Sequence, residues 1–336
     1  MLELPSPYLV FLGDTQEPLF AKTAFGLRDW ARERCIGEWS CGDTKVTTGL
    51  PRVSPREARN LGARGLVVGV ANYGGIIQDN WIPTLLDALE AGLDIIGGMH
   101  AKLQDIEPLK AAATRLGRRL IDVRVPPANI PVANGRKRAG KRLLTVGTDC
   151  ALGKKYSALA IAQAFKDRGV DADFRATGQT GILISGGGLP MDAVVSDFEA
   201  GAAEMLSPDN SPQHWDVIEG QGSLFHPSYA AVSLGLLHGS QPDVIVVCHQ
   251  VGRTHILGKP DYALPTLEET IDLNLRLGSR TNPAIRCAGV SLNTSQLDAD
   301  AARDLMALQS QRLGMPVADP IRGGTQFGRL VDACLA

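Results

Sequence analysis

The chain alternates between short apolar runs and segments whose apolar residues recur at helical spacing. Four apolar runs in the first 125 residues are bounded by turn residues and contain β-branched residues, as buried strands do. They cover residues 8–13, 65–72, 94–99 and 119–125. Helical spacing lies between them at residues 21–33, 83–92 and 105–117. This order predicts a parallel sheet with helices on both faces.

The segment at residues 126–140 interrupts this rhythm, because it has three prolines and no apolar periodicity. Beyond it, strands are predicted at residues 142–147, 170–176, 192–196, 215–219, 242–249 and 285–292. Helices are predicted at residues 154–167, 198–206, 266–277 and 298–312. We therefore predict an α/β protein with two doubly wound parallel-sheet domains, at residues 1–125 and 141–336, joined by a linker at 126–140.

The composition is that of an ordinary globular protein. The 336 residues are 44% hydrophobic and 21% charged, and the net charge of -2 argues against a general nucleic-acid-binding protein. Six scattered cysteines without a CxxC pair indicate a reduced cytosolic protein without structural zinc. No apolar run approaches the roughly 18 residues needed to span a membrane. We expect a cytoplasmic protein with small-molecule partners, for which a homo-oligomer would be ordinary.

The predicted N-terminal domain has no dinucleotide-binding fingerprint. Its first strand is followed by Gly13, Asp14 and Thr15 where GxGxxG would be expected. Later strand ends carry glycines and polar residues, at Asn72, Gly74, Gly75, Gly97, Gly98 and His100. Glycine at such places lets a ligand approach the backbone, but tight turns between strands and helices are the simpler interpretation, which we favour.

The segment after the strand at 142–147 has the pattern of a phosphate-binding loop. Gly147 and Gly153 enclose five residues, and Lys154 follows at the start of a helix. In such loops backbone N–H groups and the helix N-terminus converge on a phosphate, and the lysine adds a positive charge. We predict that phosphates are held by Gly147, Thr148, Asp149, Cys150, Ala151, Leu152, Gly153, Lys154, Lys155 and Tyr156.

The residue after Lys154 distinguishes this loop from those of nucleotide hydrolases. The loop resembles the GTD-x-x-x-GK loop of dethiobiotin synthetase and of the P-loop class that includes MinD, in which Ser or Thr follows the lysine and binds Mg²⁺. Lys155 stands at that position and cannot coordinate a cation, and Ser157 lies nearly one helical turn beyond Lys154. The pattern favours metal-free binding of a phosphate or pyrophosphate, and coenzyme A is one such ligand.

Polar residues follow most of the later strands, where ligands bind in doubly wound sheets. The segments "RATGQTGILI", "SDFEAGAAE", "EGQGSLFHP" and "CHQVGR", with the loop "GTDCALGKKYSALA", resemble those of the DgcN-type N-acetyltransferases. This family acetylates D-glutamate or related amino acids from acetyl-CoA. The resemblance covers nearly the whole chain and implies a Rossmann-like N-terminal domain, a P-loop NTPase-like C-terminal domain and acetyl-CoA as co-substrate, with no metal expected.

Acetylation of an amino acid requires a base, because an α-ammonium group is not a nucleophile, and it requires donors for the oxyanion that forms. Glu219, at a strand end, is the first candidate base, and a carboxylate that organises the loop is an equally weighted alternative. Asp149 is the second candidate and His249 the third. These roles follow from the positions of the residues, since the resemblance does not assign them.

An acidic substrate brings carboxylates, which arginine binds with paired hydrogen bonds. Arg175 and Arg253 lie at or just beyond strand ends and are predicted to bind these groups. Orientation of the substrate or of the acetyl group is predicted for Gln179, Thr180 and Asn293. The basic run at residues 136–142 is interpreted as a soluble linker, with contact to the 3′-phosphate of coenzyme A as the alternative.

Three alternatives stay open. Cys150 at a helix N-terminus can act as a nucleophile, which we rank below direct transfer because no histidine is near it in sequence. An ATP-dependent ligase or kinase resembling dethiobiotin synthetase would use Lys154 on the phosphates and Glu219 near Mg²⁺, but Lys155 counts against it. A non-catalytic nucleotide switch would not need so many polar strand ends.

Overall fold

A computed structural model describes residues 2–336, apart from the side chains at positions 19 and 73. The strands are β1 (Leu2–Glu3), β2 (Tyr8–Phe11), β3 (Cys35–Trp39), β4 (Gly65–Val68), β5 (Asp94–Gly97), β6 (Leu120–Asp122), β7 (Lys141–Gly147), β8 (Ala172–Arg175), β9 (Gly187–Gly188), β10 (Trp215–Ile218), β11 (Val244–Gln250), β12 (His255–Ile256), β13 (Lys259–Ala263), β14 (Arg286–Asn293) and β15 (Val317–Ala318). The α-helices are α1 (Lys22–Trp30), α2 (Pro55–Asn60), α3 (Ile82–Glu90), α4 (Glu107–Leu116), α5 (Lys154–Asp167), α6 (Gln179–Ser185), α7 (Glu199–Leu206), α8 (Ala230–Ser240), α9 (Leu267–Gly278), α10 (Ala299–Leu313) and α11 (Gly324–Leu335). Within residues 2–336, no helix has the length and apolar character needed to cross a membrane.

These elements group into two compact units. The first unit contains the residues up to Pro127 and Gly178–Pro190, and the second contains Ala128–Thr177 and Met191–Ala336. Each unit has its own parallel sheet, which confirms the predicted α/β class with two doubly wound domains. The sequence analysis placed residues 178–190 in the second domain, whereas their contacts assign them to the first. There β9 pairs with β1, because the chain crosses to the first unit and returns.

The sheet of the first unit has five parallel strands in the order β3-β2-β4-β5-β6. Every residue of β2 and β4 is buried, as expected for strands covered by helices on both faces. The segments that follow β4, β5 and β6 leave the sheet at its carboxyl edge. Ligands of doubly wound folds bind at this edge.

The sheet of the second unit has six parallel strands in the order β15-β14-β11-β7-β10-β8. Successive residues of β11 point to opposite faces. Val246 belongs to the core cluster that contains residues of α5 and α11, and Val247 belongs to the cluster that contains residues of α9 and α10. Both faces of the sheet are therefore covered, and β7 lies in the interior of the sheet with β11 and β10 as neighbours.

Two local predictions illustrate where the apolar pattern succeeds and fails. The helix predicted at residues 154–167 is confirmed, since α5 begins and ends at those residues. The strand predicted at residues 192–196 is wrong, because residues 191–193 and 196–198 form short 3₁₀ helices. Val195 between them is exposed. Three apolar residues do not form a sheet strand without a neighbouring strand to pair with.

Two arginines of the basic run at 136–142 are buried, which corrects the interpretation of this run as a soluble linker. Arg142 is 0% exposed, and its guanidinium donates to the carbonyl oxygens of Ala139 at 2.9 Å and Pro208 at 3.0 Å. Arg138 donates to the carbonyl oxygen of Ser207 at 2.7 Å. Arginine suits such a cluster because it carries five N–H donors. Both guanidinium groups are engaged by backbone carbonyl oxygens of the protein.

We predict that Arg142→Met destabilises the protein far more than Arg136→Met. Methionine fills much of the volume but donates no hydrogen bond, so buried carbonyl oxygens lose their donor. The carboxylate of Asp216, 3.9 Å from the guanidinium, also loses one of its positively charged neighbours. We expect the free energy of unfolding to fall by about 3–5 kcal/mol. The exposed pair of Arg136 and Asp209 is worth less than about 1 kcal/mol. Urea unfolding followed by circular dichroism compares the variants, and equal losses would contradict this role of Arg142.

Candidate functional site

The predicted phosphate loop lies at the carboxyl end of β7, within the sheet of the second unit. It runs from Gly147, the last residue of β7, to Gly153, which precedes α5. Gly153 has a φ of 113°, a backbone conformation that residues with a Cβ rarely adopt. The loop therefore turns directly into the N-terminus of α5, where backbone N–H groups favour an anion.

The side chain of Lys154 folds back to the loop. Its Nζ donates to the carbonyl oxygen of Asp149 at 2.7 Å, and the residue is only 6% exposed. Burial is the main cause that lowers the pKa of this ammonium group. An anion bound in the loop would favour the charged form of Lys154, so the site gains electrostatically from binding a phosphate.

The carboxylate of Asp149 anchors the loop from inside. Oδ1 accepts the N–H of Cys150 at 2.6 Å, and Oδ2 accepts the N–H of Leu257 at 2.8 Å and Nη1 of Arg253 at 2.9 Å. The bond to Leu257 ties the loop to the hairpin formed by β12 and β13. Because both oxygens are engaged, Asp149 organises the loop in this structure.

Arg253 holds the other side of the loop. Besides Asp149, its guanidinium donates to the carbonyl oxygens of Cys150 at 2.7 Å and Ala151 at 3.3 Å, and to the side chain of Gln250. Ala151 has a φ of 52°, which is costly for a residue with a Cβ. The hydrogen bond to its carbonyl oxygen holds this strained backbone. We call Asp149 and Arg253 together the loop clamp.

Glu219 and Gly220 bring β10 close to the start of the loop. The Oε2 atom of Glu219 accepts the N–H of Thr177 at 3.0 Å, and its backbone carbonyl accepts the hydroxyl of Thr177 at 2.7 Å. The N–H of Gly220 donates to the hydroxyl of Thr145 at 3.0 Å. A Cβ at Gly220 would lie 1.6 Å from the carbonyl oxygen of Thr145, so only glycine permits this approach.

His249 lies on β11 and contacts the loop. Its Nδ1 atom and the hydroxyl of Thr148 are 3.0 Å apart. Burial, and then the charge of Arg253, lower the pKa of His249 below its usual value of 6.5. The imidazole is therefore neutral at pH 7, the form that accepts a proton.

His226, which is not among the predicted site residues, also faces the loop. Its Nδ1 accepts the N–H of Ser228 at 3.0 Å, so the neutral ring carries its proton on Nε2. Nε2 lies 4.0 Å from Oδ1 of Asp149, and possible ligand atoms of Asp149, Cys150 and His226 lie within 4.8 Å of one another. A protonated Nε2 cannot bind a metal, so this cluster fits hydrogen bonding better than a cation.

The thiol of Cys150 is a poor candidate nucleophile in this environment. Burial raises its pKa, although the charge of Lys154 acts in the opposite direction. The thiol is therefore protonated at neutral pH, whereas reactive cysteines act as thiolates. Although the fold brings His226 near Cys150, its Nε2 carries the proton and cannot accept another.

In nucleotide-hydrolysing loops, the hydroxyl of the residue after the lysine binds Mg²⁺. The first turn of α5, all of whose residues the structure describes, has no hydroxyl at that position. Lys155 occupies that position. The hydroxyl of Ser157 is engaged, since it lies 2.8 Å from the hydroxyl of Ser291 and donates to the carbonyl oxygen of Gly153 at 3.2 Å. The residues therefore do not fit the magnesium site of those loops.

A cavity of about 390 Å³ lies beside the start of α5, within the second unit. Leu152 and Gly153 of the loop line one part of it, and Asn293 at the end of β14 lines another. Pro320 and Ile321 add apolar surface. Asp319 and Arg322 add charged groups, so the lining is mixed and carries several hydrogen-bonding side chains.

The other predicted substrate-binding residues have different surroundings. The guanidinium of Arg175 is paired with Asp216 at 2.6 Å and Asp173 at 3.3 Å, so carboxylates of the protein itself already surround it. Gln179 and Thr180 begin α6 and belong to the first unit. Around the loop, the second unit brings together Asp149, Glu219, His249, Arg253 and Asn293.

The fold and the loop define a two-domain α/β protein with a Rossmann-like domain and a P-loop domain. The models of one family match both parts: a Rossmann-like domain of unknown function (DUF1611_N) over residues 33–126, and a P-loop domain of unknown function (DUF1611_C) over residues 131–331. The chain belongs to this DUF1611 family.

Similar proteins extend this assignment over nearly the full length. The chain is 48% identical to a D-glutamate N-acetyltransferase of Tritonibacter scottomollicae, over 99% of both chains. It is 46% identical to a D-glutamate N-acetyltransferase of Pseudoalteromonas sp., over 96% of this chain and 97% of that one. A crystal structure of a DUF1611 family protein from Anabaena variabilis matches with a TM-score of 0.85 and 34% identity, over 98% of this chain and 99% of that one. These findings confirm the predicted resemblance, and the chain is an acyltransferase of the N-acetyltransferase type.

We predict that Arg253→Met raises the pKa of His249 toward 6.5. The substitution removes a positive charge that disfavours the imidazolium, while burial still holds the pKa below its usual value. NMR titration of the histidine ring signals measures the shift. Arg276→Met is the matched control, because Arg276 lies on the exposed face of α9 and should leave His249 unchanged. An unchanged pKa in Arg253→Met would show that the loop clamp does not act on His249.

Proposed function

We propose that the chain transfers the acetyl group of acetyl-CoA to the amino nitrogen of D-glutamate or a closely related amino acid. The activity named for the two relatives supports the acceptor. The observation that carries the donor is the buried ammonium of Lys154 in a loop where Lys155 replaces the hydroxyl that binds Mg²⁺. Such a loop suits a pyrophosphate that is bound and not hydrolysed.

The proposed donor site is the loop at 147–156 with the neighbouring cavity. The pyrophosphate of coenzyme A accepts hydrogen bonds from the loop and lies close to Lys154 and Lys155. The Nζ of Lys155 lies 4.4 Å from the centre of the Tyr156 ring, which keeps this charge near the start of α5. We assign the adenine ring to the cavity beside Asn293, whose lining offers hydrogen-bonding side chains. This arrangement uses charge and hydrogen bonds and needs no metal.

The proposed reaction is a direct transfer. The neutral amine of the acceptor attacks the thioester carbonyl, the new N–C bond forms, and the C–S bond breaks. A base takes the proton of the amine, and coenzyme A leaves as a thiolate that then takes a proton. Hydrogen-bond donors at the carbonyl stabilise the oxyanion between these steps.

In acetyl-CoA, the phosphates that the loop would bind lie far from the thioester that reacts. The pantetheine arm has the length of about four residues and spans about 13 Å when extended. With the phosphates in the loop, an extended arm places the thioester about 13 Å from them, whereas Asp149, Glu219 and His249 lie in or beside the loop itself. We infer that these three residues position the loop, and a base role for any of them requires an arm that folds back.

We expect a reduced cytoplasmic location, which the six free cysteines support. A homo-oligomer stays a prediction from the class of enzyme.

The first test measures acetyl transfer and the role of the loop lysines. The chain should release thiol from acetyl-CoA only when D-glutamate is present, and EDTA should not inhibit it. Lys154→Met and Lys155→Met should each raise the KM for acetyl-CoA about tenfold to hundredfold, because a hydrogen bond to a charged group contributes about 1.5–3 kcal/mol. Lys166→Met, on the exposed end of α5, is the matched control. An unchanged KM for acetyl-CoA in both loop variants would show that the donor does not bind at this loop.

A parallel reaction with ATP, Mg²⁺ and D-glutamate tests the alternative of a ligase or kinase. We expect no release of phosphate, because the loop lacks the magnesium ligand. Phosphate release that depends on the amino acid would favour the ligase. Thiol release that does not depend on the amino acid would contradict the acetyltransferase.

The second test distinguishes the two roles of His249. We predict that His249→Gln raises the KM for acetyl-CoA and leaves kcat within about threefold, because His249 contacts Thr148 of the loop. A base would instead lower kcat by about 10²–10⁴. It would also give the wild type a fall in kcat at acid pH, below the lowered pKa of His249, that the variant lacks. A pH profile of kcat for both proteins separates these outcomes.

A further inference from the structure

A second cavity lies within the first unit, at the carboxyl edge of its sheet, and has a volume of about 480 Å³. Segments that follow β4 and β5 line it, with the starts of α1 and α6. This is the edge where doubly wound folds bind ligands, and the volume is that of a small-molecule site. The sequence analysis interpreted the glycines of these segments as tight turns, so this cavity was not predicted.

The lining of this cavity carries positive charge. Lys22 and Arg124 are the charged residues of the lining, and none of the fifteen lining residues that the structure describes is acidic. Lys22 is the first residue of α1, whose first turn contains no acidic residue, so the helix dipole adds to the positive potential. The whole chain has a net charge of -2, so the positive charge at this lining is local and does not reflect a basic chain.

Neutral hydrogen-bonding groups stand beside these charges. The hydroxyls of Thr23 and Thr180 are 3.2 Å apart and connect α1 to α6 at the lining. The amide of Gln179 can both donate to a carboxylate and accept from an ammonium group. A Cβ on Gly98 would lie 3.1 Å from the Cβ of Gln179, so glycine leaves room for this side chain.

From these observations we propose that the cavity of the first unit binds the acidic amino acid that accepts the acetyl group, with Lys22 on a carboxylate and Gln179 and Thr180 on its polar groups. This rests on the proposed function. Lysine at the rim pairs with a side-chain carboxylate, so Lys22 determines the preference for an acidic over a neutral acceptor. The site is distinct from the donor loop of the second unit.

The proposal is tested with Lys22→Met in the full chain, with Lys110→Met on the exposed face of α4 as the matched control. At saturating acetyl-CoA, Lys22→Met should raise the KM for D-glutamate about tenfold and leave the KM for acetyl-CoA unchanged. The preference for D-glutamate over D-glutamine, as a ratio of kcat/KM values, should fall by a similar factor. Lys110→Met should behave as the wild type. An unchanged KM for D-glutamate with an unchanged preference would overturn the proposal while the acetyltransferase stands.

A binding measurement keeps this test separate from the proposed function. Glutarate has two carboxylates and no amino group, so it occupies an acceptor site without reaction. Calorimetry should show glutarate binding to the wild type and to Lys110→Met, and about tenfold weaker binding to Lys22→Met. Equal binding to all three proteins, or no binding to the wild type, would overturn the acceptor site even if no acetyl transfer were detected.

Discussion

The ion pair of Asp149 and Arg253 is the interaction on which the phosphate loop depends. Asp149 is buried and receives two backbone N–H groups besides the guanidinium, while Arg253 holds two loop carbonyls. Their bonds fix the backbone on both sides of Ala151, whose positive φ would otherwise be costly. A loop held in this way can present its N–H groups to a phosphate without reorganising. In this structure both side chains, predicted as a candidate base and as a carboxylate ligand, are engaged with the loop.

Lys155 places an ammonium group where nucleotide-hydrolysing loops have the hydroxyl of Ser or Thr, and this changes the chemistry that the loop can support. In nucleotide hydrolases the residue after the lysine places Mg²⁺, which neutralises charge on the phosphate that is transferred. Lys155 supplies positive charge at the same position without orienting a nucleophile or a leaving group. The engagement of Ser157 with Ser291 removes the nearest substitute. Such a loop suits a phosphate group that is held and not transferred.

Elements with a regular pattern of apolar and polar residues and clear ends could be predicted from the sequence. Elements whose burial depends on segments distant in the sequence could not. Gly153 before α5 and the polar residues that lead to Gly169 after it gave the bounds of this helix, whereas "AAVSLGLLHGS" of α8 is apolar with no polar face and shows no helical period. In β3 a buried carboxylate, Glu38, receives the N–H of Thr48 at 2.7 Å, so its burial depends on a segment ten residues away. At the site, spacing located the loop, but it does not encode side-chain direction. Spacing therefore could not predict the pairing of Arg175 with Asp216 or the approach of His226 to Asp149.

The two proposed anion sites, the phosphate loop and the cavity of the first unit, bind their ligands through different kinds of groups. This difference suits a reaction between a large carrier and a small acid. The loop binds with backbone N–H groups and a buried lysine, so its specificity is fixed by the geometry of the main chain and suits a constant group such as pyrophosphate. The cavity of the first unit binds with side chains at its lining, which single substitutions can exchange. Under the proposed function, substitutions at the cavity change the choice of amino acid without changing the donor loop. On this argument the identity of the acceptor is encoded by positions such as Lys22 and Gln179, and the identity of the donor by the loop clamp and Lys154.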